Sequence, residues 1–542
     1  MLKSKLLVLF LLVMNLVTKA EVNRYMVFFS DKDTTSFSTS NPAEFLSERA
    51  IQRRAKQGVV ITAQDFPVNK DYVISVSNAG ADVYFRSKWF NAVLVQMDES
   101  LVDAVKLLDH VAKVEYIAKG ALLSRNIEEV QIPEEFLEPP TITSSSDKQL
   151  RMIGADKMHD DGYSGEGMMI AVFDNGFSGV NEFKPFEHVF DNERLIASYD
   201  FIENTGNVFQ HGSHGTQVFS CIAAKYEDNL LGTAPDASFV LCVTEETFHE
   251  NRVEEYNWLF AAEFADSIGV DVINNSLGYS DFDEASMSYS REDLDGETTV
   301  ITQAANIASS KGILVTTSAG NEGGNSWSKI TAPADSKDVM AVGSVTSERI
   351  RSSFSSFGPT EDGRVKPDVV ALGSRASVMK SNGSISVNSG TSFSSPIMAG
   401  FAACVWQKNP EWNNQEVIEA IRSSGSNATS PDTLIGYGIP SYSFIATNGV
   451  LSVNDLINTE LKVFPNPFTE NKVTIDFQGI VIDQPLSIEI LDNQGKSVYT
   501  RRVTRKNTPD KIEVEFEAKS TGVYFLSIKS RKIQKTIKLI KI

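Results

Sequence analysis

Four short stretches of this chain carry the groups that nucleophilic acyl transfer needs. Those groups are a hydroxyl nucleophile, an imidazole base, a carboxylate to orient the base and an amide to meet a developing oxyanion. Asp174 follows the apolar run Met168 to Phe173, and Asn175-Gly176 turns the chain there. His214 lies in His211-Gly-Ser-His214-Gly215-Thr216, at the first turn of a helix pattern with Val218, Cys221 and Ile222 on one face. Ser392 lies in Asn388-Ser-Gly390-Thr391-Ser392-Phe393-Ser394-Ser395-Pro396, ahead of the apolar stretch IMAGFAACVW. Pro396 suits the first turn of that helix, which places Ser392 at the N-terminus. Asn321 closes Ser318-Ala319-Gly320-Asn321 after the run Ile313 to Thr317. Singly, each admits a structural role: a turn Asp, a capping His, an N-cap Ser, a turn Asn. Together they fall at successive loops. By position, Ser394 and Ser395 face into or along the helix. Of the other histidines, His159 and His188 lack a strand-end glycine loop, and His249 stands among Glu245, Glu246 and Glu250.

The elements that must hold these groups alternate along residues 148–449. Short apolar runs at Met168 to Phe173, Phe239 to Val243, Val270 to Ile273, Ile313 to Thr317 and Val339 to Val342 are separated by helix patterns at 214–225, 253–268 and 298–311. Runs apolar on both faces and divided by helices predict an α/β fold, a parallel sheet with helices on both faces. Ligands bind such sheets beyond the carboxyl ends of the strands, where the four groups fall. Before this unit, residues 21–135 mix strands with two helix patterns, Pro42 to Arg54 and Glu99 to Asp109, in a small α+β unit. Residues 72–97 hold at least two strands, Ala92 to Val95 among them. An acidic, Pro- and Ser-rich stretch over 128–147 reads as a linker, taken as 136–147 between domains. Residues 460–542 carry period-2 strands, such as Val473 to Phe477, Leu486 to Ile490 and Ile512 to Phe516, which predict a β-sandwich.

Composition narrows the class further. The 542 residues are 42% hydrophobic and 22% charged, as in ordinary folded proteins. The formal charge of −20 argues against nucleic acid as a partner, because phosphate binding needs clustered Lys and Arg. Residues 461–542 are net +6, so the remainder is −26. Cys221, Cys242 and Cys404 sit among apolar neighbours and read as buried free thiols. Lys3 and Lys5, the apolar run after them and Thr18-Lys19-Ala20 form a secretory signal peptide over residues 1–20. No other stretch reads as a transmembrane segment. Seven acids in residues 281–297 admit a calcium site or a solvated loop, and calcium as a structural ion is the one cofactor considered.

The stretches IAVFDNGFSG, HGSHGTQVFS, DVINNSLGYS, TTSAGNEGG, FSSFGPTEDGRVKPDVVA and GTSFSSPIMAG resemble, in their order, those of subtilisin-like serine proteases, the subtilases. The Asp…His…Ser order is that of this class, and Ser392 lacks the G-x-S-x-G elbow of an α/β-hydrolase. The resemblance implies a secreted endopeptidase with Asp174, His214 and Ser392 as triad and Asn321 as oxyanion donor. It implies that Ser276, Leu277 and Gly278 pair with the substrate backbone, and that Ser318, Ala319 and Gly320 flank the primary pocket. Neither segment is charged, so a neutral or apolar primary pocket is expected. Asn175 stands where the family usually has Ser or Thr, and Phe393 where Met is common. Residues 21–135 resemble the family's pro-domains. Val463-Phe-Pro-Asn-Pro-Phe468, Gly522-Val-Tyr-Phe and the basic end at 535–541 resemble sorting domains of type IX secretion. That implies export through the periplasm, an encounter with outer-membrane machinery and a secreted or cell-surface protein. The competing reading is a catalytically silent adhesin on the same scaffold.

Overall fold

The computed structural model describes residues 22–33, 35–120, 132–133, 135–210, 212–246, 249–448, 462–476, 486–492, 496–503, 511–516, 520–529 and 534–542. The signal peptide, His211 and most of the stretch leading into the linker lie outside them. The described residues fall into two compact units, one within residues 1–447 and one within 448–542.

The first unit opens with β1 (Val22–Phe29), α1 (Glu48–Lys56), α2 (Lys70–Asn78), β2 (Asp82–Ser87), β3 (Ala92–Asp98), α3 (Val102–Lys106) and β4 (Val111–Lys119). The four strands make an antiparallel sheet in the order β2-β3-β1-β4. One expectation is corrected here. The pattern over Pro42 to Arg54 is not one helix: a single turn at Pro42–Glu44 ends, and α1 starts afresh where Ser47 Oγ accepts from Ala50 N at 3.1 Å. Residues 72–97 hold the two strands expected, β2 and β3, which follow α2, a helix whose Val73 and Val76 are buried.

The chain then forms α4 (Asp147–Ile153), α5 (Ala155–Asp160), β5 (Met169–Asp174), α6 (Glu187–Asp191), β6 (Leu195–Asp200), α7 (His214–Ala223), the short pair β7 (Lys225–Tyr226) and β8 (Leu230–Leu231), and β9 (Ser238–Val243). Next come α8 (Val253–Ile268), β10 (Val272–Asn275), α9 (Val300–Ser310), β11 (Leu314–Ser318), β12 (Met340–Val345), β13 (Val369–Leu372), the hairpin β14 (Ala376–Met379) and β15 (Ile385–Asn388), α10 (Thr391–Lys408), α11 (Asn414–Ser423) and α12 (Tyr442–Asn448). Seven strands form one parallel sheet in the order β13-β12-β11-β10-β5-β9-β6. Strand β5 is buried along its whole length and serves both faces. Ile170 and Val172 pack in the layer of α7 and α10, while Met169, Ala171 and Phe173 pack in the layer of α8 and α9. Helix α10 is buried on every side from Thr391 to Trp406, as an all-round apolar helix must be. Among the described residues no helix is long and apolar enough to cross a membrane.

The second unit contains β16 (Lys462–Phe464), β17 (Lys472–Asp476), β18 (Leu486–Leu491), β19 (Ser497–Val503), β20 (Lys511–Glu515), β21 (Gly522–Lys529) and β22 (Gln534–Lys541). Its sheets, β16-β17-β20 and β19-β18-β21-β22, are antiparallel. Val473, Ile475 and Val514 of one share a core with Ile488, Leu526 and Leu539 of the other, which makes a sandwich.

The N-terminal sheet docks on α8 through buried charge. Asp266 is fully buried and meets Arg53 at 2.7 Å, Arg54 at 2.7 Å and Lys88 at 3.1 Å. Burial alone would raise its carboxyl, but the three cations reverse that and hold it well below the usual carboxylate range. Its contribution is therefore complete above the unfolded value near 4 and is lost only in stronger acid. Glu263 accepts from Ser87 Oγ at 2.5 Å, Lys88 N at 2.7 Å and Trp89 N at 3.0 Å. Replacing Asp266 by Ala leaves three cations without their shared anion. Denaturant unfolding of the full chain should show a loss of about 3–5 kcal/mol, the range for breaking a buried pair; a loss under about 1 kcal/mol would contradict this account.

Candidate active site

Strand β5 ends on Asp174, whose side chain is fully buried. Its Oδ1 accepts from Asn175 N at 2.9 Å and lies 2.8 Å from His214 Nδ1. A carboxylate can only accept, so Nδ1 carries a proton, and Nε2 of the neutral ring is left as the basic nitrogen. Burial disfavours the imidazolium. The charge and hydrogen bond of Asp174, with the charge of Glu245 adding to them, together outweigh it, and the His214 pKa moves up from its ordinary value. The other carboxylate oxygen, Oδ2, is buried with no partner among the described residues.

His214 begins α7, and its backbone N–H donates to Asn175 Oδ1 at 3.2 Å. The departure at Asn175 thus fastens the turn after β5 to the start of α7. Gly215 permits the approach, since a Cβ there would collide with the Gly176 carbonyl and the Cβ of Asp174. The other departure, Phe393, lies beside the imidazole with ring centroids 5.8 Å apart.

Ser392 sits in the first turn of α10 and is 8% exposed. Its Oγ donates to the Ser276 carbonyl at 3.3 Å, and its own carbonyl accepts from Ser276 Oγ at 3.0 Å. Among the described residues no hydrogen bond joins Ser392 to His214. Ser394 and Ser395 are fully buried and engaged, with Thr391 O at 3.0 Å and Asn274 Oδ1 at 3.0 Å respectively. Ser392 is the hydroxyl of the three that solvent reaches. Asn321 follows β11, and its Oδ1 accepts from Thr391 N at 2.9 Å and Thr391 Oγ1 at 3.1 Å. That fixes the amide flip and leaves the Asn321 nitrogen as the free donor. The positioning role of Thr391 was missed in the sequence, where only its place next to Ser392 hinted at it.

Ser276, Leu277 and Gly278 follow β10, and Ser318, Ala319 and Gly320 follow from the end of β11, its neighbour in the sheet. Ser318 Oγ donates to the Leu277 carbonyl at 3.4 Å, and Ala319 N to Val342 O at 3.0 Å. Gly278 is exposed, while the other five are buried.

The acids of residues 281–297 are engaged within their own loop. Asp293 Oδ2 accepts from Ser290 N at 2.7 Å, Asp295 Oδ1 from Glu297 N and Thr298 N at 2.8 Å each, and Asp283 faces His249 at 3.3 Å. They cap their own loop, and among the described residues no three ligating side chains converge on a metal position. All three cysteines are buried free thiols, and burial pushes the Cys221 thiol up to about 12.

Comparison with known proteins agrees with this architecture. Residues 165–438 match the subtilase family, residues 24–131 the peptidase S8 propeptide domain of Bacteroidota, and residues 462–542 a secretion-system C-terminal sorting domain. The chain is 32% identical over 358 residues to subtilisin NAT of Bacillus subtilis subsp. natto, covering 65% of this chain and 80% of that protein. It is 29% identical over 307 residues to an alkaline protease of Shouchella clausii, covering 56% and 71%. Among solved structures, a cold adapted subtilisin-like serine proteinase matches at 24% identity and a TM-score of 0.41, covering 51% of this chain and 90% of that one. The sorting domain marks a secreted or cell-surface protein. The chain belongs to the subtilase family: it is a serine endopeptidase with a propeptide domain before it and a sorting domain after it.

Proposed function

We propose that the protein hydrolyses peptide bonds through an acyl-enzyme formed on Ser392, with His214 as general base and acid and Asp174 as its orienting carboxylate. The observation that carries this is the 2.8 Å contact between the buried Asp174 carboxylate and His214 Nδ1, which leaves Nε2 as the base. Ser392 Oγ turns from the Ser276 carbonyl to Nε2 and attacks the substrate carbonyl carbon, and Nε2 takes its proton. The ring is then an imidazolium, stabilised by Asp174. The tetrahedral oxyanion is met by the Asn321 amide nitrogen and the Ser392 backbone N–H at the positive end of α10. Collapse expels the amine, which receives the proton from Nε2. Water repeats the sequence on the ester and frees Ser392. The reading calls on no cofactor.

Residues 21–135 act as the propeptide, released by self-cleavage between about Leu122 and Asp147. Passage runs through the periplasm to outer-membrane machinery that reads residues 460–542. The uncharged segments Ser276–Gly278 and Ser318–Gly320 favour a neutral or apolar primary pocket.

Ser392→Ala should lower kcat on a peptide substrate by a factor on the order of 10⁶, the loss known for the nucleophile of subtilisin. N-terminal sequencing should show that this variant also keeps its propeptide. Retained turnover, or the wild-type N-terminus, would contradict the assignment. Asn321→Ala should reduce kcat by about 10²–10³, the range known for the oxyanion donor of subtilisin, with the unfolding midpoint little changed; an unaltered kcat removes Asn321 from the scheme. The raised His214 pKa sets the acid limb of kcat/KM. Activity needs the neutral ring, so kcat/KM should fall to half its plateau at a pH above about 6.5, the ordinary imidazole value. A half-maximum clearly below that value would contradict the effect of Asp174.

A further inference from the structure

The loop leaving β9 carries carboxyls that the hydrolytic scheme does not use. Thr244 N donates to Asp174 O at 3.0 Å, which ties the start of this loop to the strand end that holds the buried carboxylate. Glu245 comes next. Glu250 lies further along the loop, and Glu254 stands in the first turn of α8. Glu254 is fully buried and holds the loop in shape, accepting from Glu246 N at 2.8 Å and Asn251 N at 3.2 Å. The carboxyls of Glu245 and Glu250 take no hydrogen bond or ion pair among the described residues. Burial, with neighbouring carboxyls adding to it, pushes Glu245 up to about 8 and Glu250 up to about 7.

A second feature points into the same place. Tyr279, directly after Ser276–Gly278, is 1% exposed, and its hydroxyl has no hydrogen-bond partner among the described residues. The charged groups acting on it most strongly are Glu245, Glu254 and Glu250. Thr244 Oγ1 is likewise buried without a partner. Nearby cations of the chain are engaged elsewhere. Arg252 faces Glu255 at 3.8 Å and Glu115 at 4.0 Å, and Lys380 donates to Gln217 at 2.8 Å. Arg24 of the propeptide sheet approaches Glu246 at 3.9 Å, and leaves with the propeptide.

The sheet order β10-β5-β9 sets this acidic loop on one side of Asp174 and the Ser276–Gly278 segment on the other. A peptide added as a strand along Ser276–Gly278 sends alternate side chains to the same side. We propose that Glu245 and Glu250, with the Tyr279 hydroxyl, form a subsite for a Lys or Arg side chain on the acyl side of the scissile bond. A cation there gives the two acids a counter-charge and the phenolic oxygen a donor. This subsite rests on Ser392 being the nucleophile, and it is separate from the uncharged primary pocket.

The test uses the secreted, self-processed protein and matched fluorogenic peptides with one neutral residue at the cleaved position. Lys, Arg, norleucine or Glu is scanned through the second, third and fourth positions on the acyl side. At one of these positions kcat/KM for Lys or Arg should exceed that for norleucine by at least about tenfold, within the span of single-subsite discrimination. Glu245→Gln or Glu250→Gln should cut that ratio to less than about threefold. Cleavage of the neutral peptides with no basic preference, or a preference that both variants keep, overturns the subsite while leaving the nucleophile intact. Stabilisation by calcium that is lost in Glu245→Gln, without a basic preference, assigns the acids to a metal ion and also overturns it. Failure to cleave any peptide overturns the hydrolytic reading itself.

Discussion

A carboxylate taken wholly out of water must find donors or take up a proton. At the end of β5 the donors are Asn175 N and the imidazole of His214. Much of the architecture around the site serves this contact. Strand β5 is buried along both faces, so its last side chain emerges already desolvated. Gly215 brings α7 close enough for the ring to reach it, and Asn175 fixes where α7 begins. The parallel sheet does the rest, because all of its strands end at one rim. β10 delivers Ser276 there and β11 delivers Asn321. Helix α10 brings Ser392, locked to both through Ser276 and Thr391.

Charge is distributed unevenly around this rim. The propeptide domain meets α8 at two buried carboxylates: Asp266 gathers Arg53, Arg54 and Lys88, and Glu263 accepts from Ser87, Lys88 and Trp89. The loop beyond β9 has the opposite character: Glu246 faces Arg24, while the carboxyls of Glu245 and Glu250 take no ion pair among the described residues. The same element, α8, therefore meets a saturated acid near its C-terminal end and unsaturated ones near its start.

The parallel sheet was legible because each core strand is apolar on both faces, and α8 matches its sequence pattern from Val253 to Ile268. The half-exposed edge strand β6 and the four-residue β13 give too little periodicity to register. In the candidate site, the types and order of Asp174, His214, Asn321 and Ser392 were readable. The Thr391–Asn321 clamp and the Tyr279 hydroxyl were not, since contacts over tens of residues leave no local signature. The acids at 281–297 cap their own loop, whereas Glu245 and Glu250, which flank His249 in the sequence, take no partner among the described residues.

The central claim is that an imidazole held by a buried carboxylate makes one particular hydroxyl reactive. The most direct measurement is labelling of the intact secreted protein with a fluorophosphonate probe, with the modified residue located by peptide mass spectrometry. The account predicts stoichiometric labelling at Ser392, slowed by at least about a thousandfold in Asp174→Asn, as expected when the carboxylate no longer holds the base in its working tautomer. Labelling at Ser394 or Ser395, or a rate at Ser392 that Asp174→Asn leaves unchanged, would contradict it.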